Sequence, residues 1–84
     1  MVTEKKGEAA VIDIEQWANR ITSPIDPKAR ASVYYDADSN TYVLRLEKGS
    51  RVILFRLSEA QIQTPSREGE CVKILKGKVR DLAG

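Results

Sequence analysis

The chain has 84 residues, of which 42% are hydrophobic and 31% charged, and its 14 basic and 12 acidic side chains give a formal net charge of +2. This length accommodates one domain with a modest core, which excludes a two-domain enzyme. The near balance of charge gives no general affinity for nucleic acid or an anionic membrane, so such a partner would have to be met by a local patch.

No membrane helix, secretory signal or metal-binding cluster is visible in the sequence. The longest uncharged apolar stretch, residues 9–12, is far shorter than the roughly 18 residues of a membrane span. Cys71 is the only cysteine and histidine is absent, so neither an internal disulfide nor a zinc site can be assembled from these residues. We therefore expect a cytoplasmic protein with no cofactor and no membrane partner.

The first ten residues, MVTEKKGEAA, have mixed charge and no apolar period, which predicts a disordered tail followed by one domain over residues 11–84. A helix is predicted over residues 13–21, because Asp13 and Gln16 have the spacing of a capping box. Apolar residues then recur at helical spacing; they are Ile14, Trp17, Ala18 and Ile21. Prolines in the segment 22–27 predict the helix end, because each disfavours helix in the preceding residue.

Residues 31–57 change to a period of two, which predicts three antiparallel strands over residues 31–36, 41–47 and 51–57. A four-residue loop at 37–40 sets Val33 against Leu44, and a two-residue loop at 48–49 sets Leu44 against Ile53. In this register the large apolar side chains share one face, the predicted core face. Its residues are Ala31, Val33, Tyr35, Tyr42, Leu44, Leu46, Ile53, Phe55 and Leu57.

The C-terminal part carries two helical signals. Ser58 and Gln61 have the spacing of a second capping box. A helix is predicted from about residue 67 or 70 to residue 82 by an apolar stripe, which consists of Val72, Leu75, Val79 and Leu82. A fourth strand at 71–75 is the alternative. The predicted fold class is α+β: an N-terminal helix, a three-stranded antiparallel meander and a C-terminal helix, in the order α-β-β-β-α.

The turn after the first strand has the oxygen-ligand spacing of a calcium loop. Positions 1, 3, 5 and 12 of that pattern are Asp36, Asp38, Asn40 and Glu47. The pattern requires a glycine at position 6, where this chain has Thr41, and its flanks read as strands. We interpret the segment as a hairpin turn whose side chains hydrogen-bond the backbone, with no metal.

No combination of residues points to catalysis. Without histidine, a proton shuttle near neutral pH would need a carboxylate, lysine or thiol with a shifted pKa. Glu70 beside Cys71 discourages the thiolate, and no glycine-rich phosphate loop is present. We therefore expect a protein that is not an enzyme.

The second face of the predicted sheet is the candidate binding face. Its residues are Tyr34, Val43, Arg45, Val52, Leu54 and Arg56. In the predicted register Tyr34, Val43 and Leu54 form one cross-strand row. Because a solvent-facing sheet normally alternates with polar residues, this apolar strip predicts that something covers it.

Three interpretations compete for the candidate binding face. The N-terminal helix or the termini could cover it as a second core. Another protein or a second copy of the chain could bind it. Single-stranded or structured nucleic acid could stack on Tyr34, aided by a basic stripe on the last helix, which consists of Lys73, Lys76 and Arg80. We predict a non-catalytic module acting through protein–protein contacts, including self-association, with nucleic-acid binding as the alternative.

Overall fold

The structure is a computed structural model that describes residues 1–83. Its main elements are the helices α1 (Val11–Ile25), α2 (Glu59–Gln63) and α3 (Glu68–Ala83), and the strands β1 (Arg30–Asp36), β2 (Thr41–Lys48) and β3 (Arg51–Ser58). Short 3₁₀ turns lie at Gly7–Ala10 and Pro65–Arg67. The predicted α+β class is confirmed, since a helix precedes the three antiparallel strands along the chain and a helix follows them.

The sheet is a meander with β2 in the middle. The first hairpin has the predicted register, with Val33 opposite Leu44. The predicted register of the second hairpin is wrong by two residues, since Leu44 lies opposite Phe55. The turn is formed by Gly49 and Ser50, because Lys48 pairs with Arg51. Gly49 has φ +60°, which suits the first central position of a type II′ turn. A shift of two residues preserves the faces of a strand but changes its cross-strand partners.

Both long helices pack on the predicted core face of the sheet and against each other. The side chains of this face are buried, except that Tyr35 and Ile53 are half-buried. The core of the domain comprises Ala10, Ile14, Trp17, Ala18, Ala29, Ala31, Val33, Tyr42, Leu44, Leu46, Phe55, Leu57, Ile62, Cys71, Leu75, Val79 and Leu82. One face of the sheet therefore meets two helices, and no helix of residues 1–83 lies on the other face.

Helix α1 differs from its prediction at both ends. It begins two residues earlier, so Asp13 lies in the first turn, and the predicted capping box is wrong. The Asp13 carboxylate instead accepts a hydrogen bond from Thr3 Oγ1 at 2.7 Å. The helix ends within the predicted segment 22–27, but at Ile25, four residues beyond the predicted last residue, with Pro24 inside the last turn. A proline there removes one N–H, and the chain still closes the helix through the bond from Asp26 N to Thr22 O at 2.9 Å.

The first ten residues, predicted as a disordered tail, lie against the domain in the structure. Val2 N donates to Ile62 O at 3.1 Å, and Gly7 N donates to the buried Tyr42 hydroxyl at 2.9 Å. Ala10 is fully buried. These partners are more than 30 residues away along the chain, so the local composition of the segment gives no sign of them.

The C-terminal elements follow the prediction closely. The Ser58–Gln61 capping box is confirmed, with Ser58 N donating to Gln61 Oε1 at 2.8 Å and Gln61 N to Ser58 Oγ at 3.0 Å. Residues 68–83 form one helix, so the alternative of a fourth strand is wrong. The buried stripe of α3 uses Cys71, while Val72 is half-buried. Within residues 1–83, no helix has the length and hydrophobicity that a membrane crossing requires.

Candidate binding face and sheet edge

The candidate binding face is exposed. Tyr34 is 55% exposed, Leu54 59% and Val52 45%, whereas Val43 in the central strand is 3% exposed. Over residues 1–83, neither a helix nor the N-terminal segment packs on this face. The interpretation that α1 or the termini cover it as a second core is therefore wrong, because α1 and α3 both lie on the opposite face.

The cross-strand rows of this face differ from the prediction. Tyr34 and Val43 are neighbours, but the third member of their row is Arg56, not Leu54. Leu54 lies opposite Arg45 and diagonal to Val43, and diagonal neighbours remain within reach of large side chains. An apolar strip therefore crosses the sheet diagonally from β1 to β3, and it consists of Tyr34, Val43, Leu54 and Val52.

Both arginines of the face are paired with carboxylates of the same chain. Arg56 Nη1 lies 2.9 Å from Asp36 Oδ2 and also donates to Thr41 Oγ1 at 2.8 Å. Arg45 Nη1 lies 2.9 Å from Glu47 Oε2. The hydrogen bond from Arg56 holds the pKa of Asp36 below its usual value. A nucleic-acid phosphate would have to compete with these carboxylates for either guanidinium.

The segment with calcium-loop spacing forms the β1–β2 hairpin turn. Asp36 accepts a hydrogen bond from Asp38 N at 3.1 Å, and Asn40 has a left-handed conformation with φ +56°. Glu47 lies near the far end of β2, and the cation beside Asp36 is Arg56. Among residues 1–83, no group of three or more metal-ligating side chains comes together. The hydrogen bond from Asp38 N and the left-handed conformation of Asn40 confirm that this segment is a hairpin turn.

The basic stripe lies on the other side of the domain. Lys73, Lys76 and Arg80 are exposed on α3, which packs on the core face of the sheet. The stripe and the candidate binding face therefore point away from each other, and one short nucleic-acid segment could not contact both. The stripe retains the simpler interpretation of a solvated helix face.

Side chains of α1 close the outer edge of β1, a feature that the sequence reasoning missed. Asn19 Oδ1 accepts from Ala31 N at 3.0 Å, and Asn19 Nδ2 donates to Ala31 O at 2.9 Å. Glu15 Oε1 accepts from Val33 N at 3.2 Å. The only signal in the sequence is the i, i+4 spacing of two polar residues beside the apolar stripe of α1. A sheet edge covered in this way cannot accept another strand.

The outer edge of β3 is open. In β1 the amides of Ala31 and Val33 point away from β2, so alternation along the ladders directs the backbone groups of Val52, Leu54 and Arg56 away from β2 as well. Within residues 1–83, none of these three residues has a backbone hydrogen-bond partner on that side. The next outward amide, that of Ser58, is taken by Gln61 Oε1.

Two of the open clefts in the described part of the chain lie between α1 and a neighbouring element. One, of about 520 Å³, lies between α1 and β1, and its Glu15 and Asn19 side chains are the ones that bind the β1 backbone. The other, of about 550 Å³, lies between α1 and α3 and is lined partly by Trp17, Ile21 and Val72. In the first cleft the Glu15 and Asn19 side chains are therefore already hydrogen-bonded to the β1 backbone. The second cleft is mainly an apolar groove.

Cys71 is buried in the core. Its side chain is 0% exposed, and Sγ lies 3.6 Å from Gln61 O. Burial, followed by the neighbouring Glu70, raises the pKa of the thiol above its ordinary value. We expect a disulfide reagent to modify native Cys71 at least about 100-fold more slowly than the unfolded chain, because reaction requires opening of the core.

The rate of thiol modification, followed by absorbance with and without denaturant, checks this expectation. A Cys71→Ala chain carrying Ala60→Cys is the control, since Ala60 is exposed on α2 and its thiol should react at nearly the unfolded rate. Equal rates for native Cys71 and the exposed control would contradict the burial.

Comparisons with protein-family models, with curated proteins and with solved structures find no match for this chain. The exposed face and the open edge of β3 are therefore the features from which function has to be inferred.

Proposed function

We propose that the protein is a small non-catalytic binding module that contacts another protein, or a second copy of itself, through the outer face of its sheet. The observation that carries this proposal is the exposure of Tyr34, Val52 and Leu54 on a face that no helix in the described part of the chain covers. Covering apolar surface stabilises a complex by about 25 cal/mol per Å² before the costs of association. Aromatic and arginine side chains are also enriched at the centres of protein interfaces.

Nucleic-acid binding is the alternative, supported by the exposed ring of Tyr34. Sheet modules that stack bases generally offer two or three aromatic rings. Here the rings of Tyr35 and Tyr42 belong to the core side, with centroids 5.1 Å apart. The pairing of Arg45 and Arg56 with carboxylates further favours a protein partner.

A photo-crosslinker placed on the face tests the proposal. We expect benzoylphenylalanine at position 34, in the protein produced in its native cells, to cross-link to one protein or to a second copy. The same group at position 16 should not, because Gln16 is exposed on α1, away from the face. Adding Leu54→Lys to the position-34 chain should reduce the cross-link. Indiscriminate products from both positions would contradict a specific face.

A salt-dependent titration separates the two candidates. Amide NMR signals of Tyr34, Leu54 and Arg56 should be unchanged by a mixed single-stranded oligonucleotide at low salt. Shifts that appear on titration and are reversed by salt would favour the nucleic-acid alternative, since phosphate contacts weaken steeply as salt rises.

Tyr34→Ala should change the free energy of unfolding by less than about 0.5 kcal/mol, as for other exposed positions.

A further inference from the structure

The outward-directed backbone groups on the open edge of β3 are arranged symmetrically about Leu54. Its three outward-directed residues are Val52, Leu54 and Arg56, and Leu54 is the middle one. On one side the edge ends at the Gly49–Ser50 turn, and on the other it ends at Ser58, whose amide is taken by Gln61. An antiparallel strand pairs with such an edge completely when it offers the same three positions in reverse order.

We propose that two copies of the chain pair antiparallel through their β3 edges, with the twofold axis at Leu54, to form one continuous six-stranded sheet. This pairing goes beyond the proposed function, because the second copy binds at the β3 edge and leaves Tyr34 of the outer face uncovered. Leu54 then lies opposite its own equivalent, and Val52 lies opposite Arg56 of the second copy. All three outward residues of each copy gain backbone partners.

The register follows from the faces and from the capped amide. Residues directly opposite each other in antiparallel strands point to the same side of the sheet, so only registers that place the axis on a residue preserve both faces. An axis at Phe55 would require the amide of Ser58, which is bound to Gln61. An axis at Ile53 would place Arg56 beyond the end of the partner strand. Leu54 is the position that uses the whole open edge.

The side chains are compatible with this register. On the outer face the exposed Leu54 side chains meet, and Val52 packs along the aliphatic stem of the opposing Arg56. On the core side, the half-buried Ile53 comes opposite Phe55 of the second copy. The two Arg56 residues stand four residues apart along the strands, about 13 Å. That exceeds the Debye length of about 8 Å at physiological salt, and each guanidinium is already paired with Asp36.

The closed edge of β1 determines where assembly stops. Asn19 occupies both backbone groups of Ala31, and Glu15 occupies the amide of Val33, so within residues 1–83 each copy has β3 as its open edge. When the open edges of two copies pair, the dimer has no open strand edge left for a third copy. The product is a closed dimer with an isologous interface and not a growing fibre. β3 also lacks proline and lysine, which protect solitary edges in other sheets.

Sedimentation equilibrium over a wide concentration range tests the pairing. Wild-type protein should change from monomer to dimer, with no larger species. Leu54→Lys places two like charges on the axis, and Leu54→Pro removes an outward N–H without touching the β2 ladder; each should weaken dimerisation at least tenfold. Ser32→Lys is the matched control, because Ser32 is exposed on the same face at β1 and lies outside the candidate binding face; it adds the same charge and should change the affinity by less than about twofold.

The register has its own measurement. In a mixture of isotope-labelled and unlabelled chains, an intermolecular NOE is expected between the Hα atoms of Ile53 and Phe55, because the Cα atoms of a non-hydrogen-bonded antiparallel pair are about 4.5 Å apart. The Leu54 amide should be protected from hydrogen exchange in the dimer and lose that protection on dilution.

Failure of the pairing is distinguishable from failure of the proposed function. A monomer at every concentration would overturn the pairing, while a cross-link from position 34 to a different protein would still support the binding face. Equal loss of dimer in Tyr34→Lys and Leu54→Lys would indicate packing of face on face, which overturns edge pairing but supports the proposed function. A dimer with neither the Ile53–Phe55 NOE nor Leu54 protection would likewise overturn the edge pairing.

Discussion

Replacing Leu44 with alanine is expected to lower the free energy of unfolding by about 2 to 5 kcal/mol. Leu44 is 0% exposed in the central strand, where it lies opposite both Val33 and Phe55. Helices α1 and α3 cover this face, so removing the side chain would leave a cavity between the sheet and the two helices. A domain of this length has a total stability of about 4 to 13 kcal/mol. The substitution therefore threatens a large part of the stability of the protein.

Urea unfolding followed by the fluorescence of Trp17 measures the effect. The matched control is Leu54→Ala, which makes the same chemical change on the next strand. At dilutions where the protein is monomeric, it should cost less than about 1 kcal/mol, because Leu54 is 59% exposed. Equal losses at the two positions would mean that Leu54 is covered within the monomer, which would remove the basis of the candidate binding face.

Replacing Asn19 with alanine is expected to cost about 1 to 3 kcal/mol of unfolding free energy, although Asn19 is no part of the apolar core. Its side chain satisfies both backbone groups of Ala31 and also donates to Glu15 O at 2.9 Å. Ala31 is only 6% exposed, so its freed amide and carbonyl would have little access to water. The variant should also open the β1 edge and tend to form larger aggregates.

Hydrogen exchange of the Ala31 amide, measured beside urea unfolding, separates this role from a general loss of helix. Exchange at Ala31 should accelerate in Asn19→Ala. The variant Asn19→Asp keeps an oxygen that can accept from the Ala31 amide but loses the N–H that donates to the Ala31 carbonyl. Exchange at Ala31 should therefore accelerate less in Asn19→Asp than in Asn19→Ala. The control Gln16→Ala, at an exposed position of the same helix, should leave both measurements nearly unchanged. An Asn19→Ala protein with unaltered exchange at Ala31 would show that the edge is protected in another way.

Local patterns in the sequence determined the elements and their faces. A period of two places Val33, Leu44 and Phe55 on one side of the sheet whichever of the two hairpin registers is formed. The Ser58–Gln61 capping box involves residues three apart, so its bonds follow from the chain itself. The same locality explains the register error, because periodicity cannot detect a shift of two residues. A loop at 48–49 would need a positive φ at Lys48, whereas in the structure Gly49 takes this conformation at the first central position of the turn.

Tertiary structure decided which surfaces remain open. Tyr34, Val52 and Leu54 are exposed because α1 and α3 share the core face, a choice between two faces that no helix period encodes. Likewise, Asn19 reaches Ala31 only after α1 has docked along β1. Such contacts join residues distant in the chain and depend on how whole elements pack. The sequence by itself thus determined the α+β elements and the apolar strip, while long-range packing decided that the strip faces outward and that β3 is the open edge.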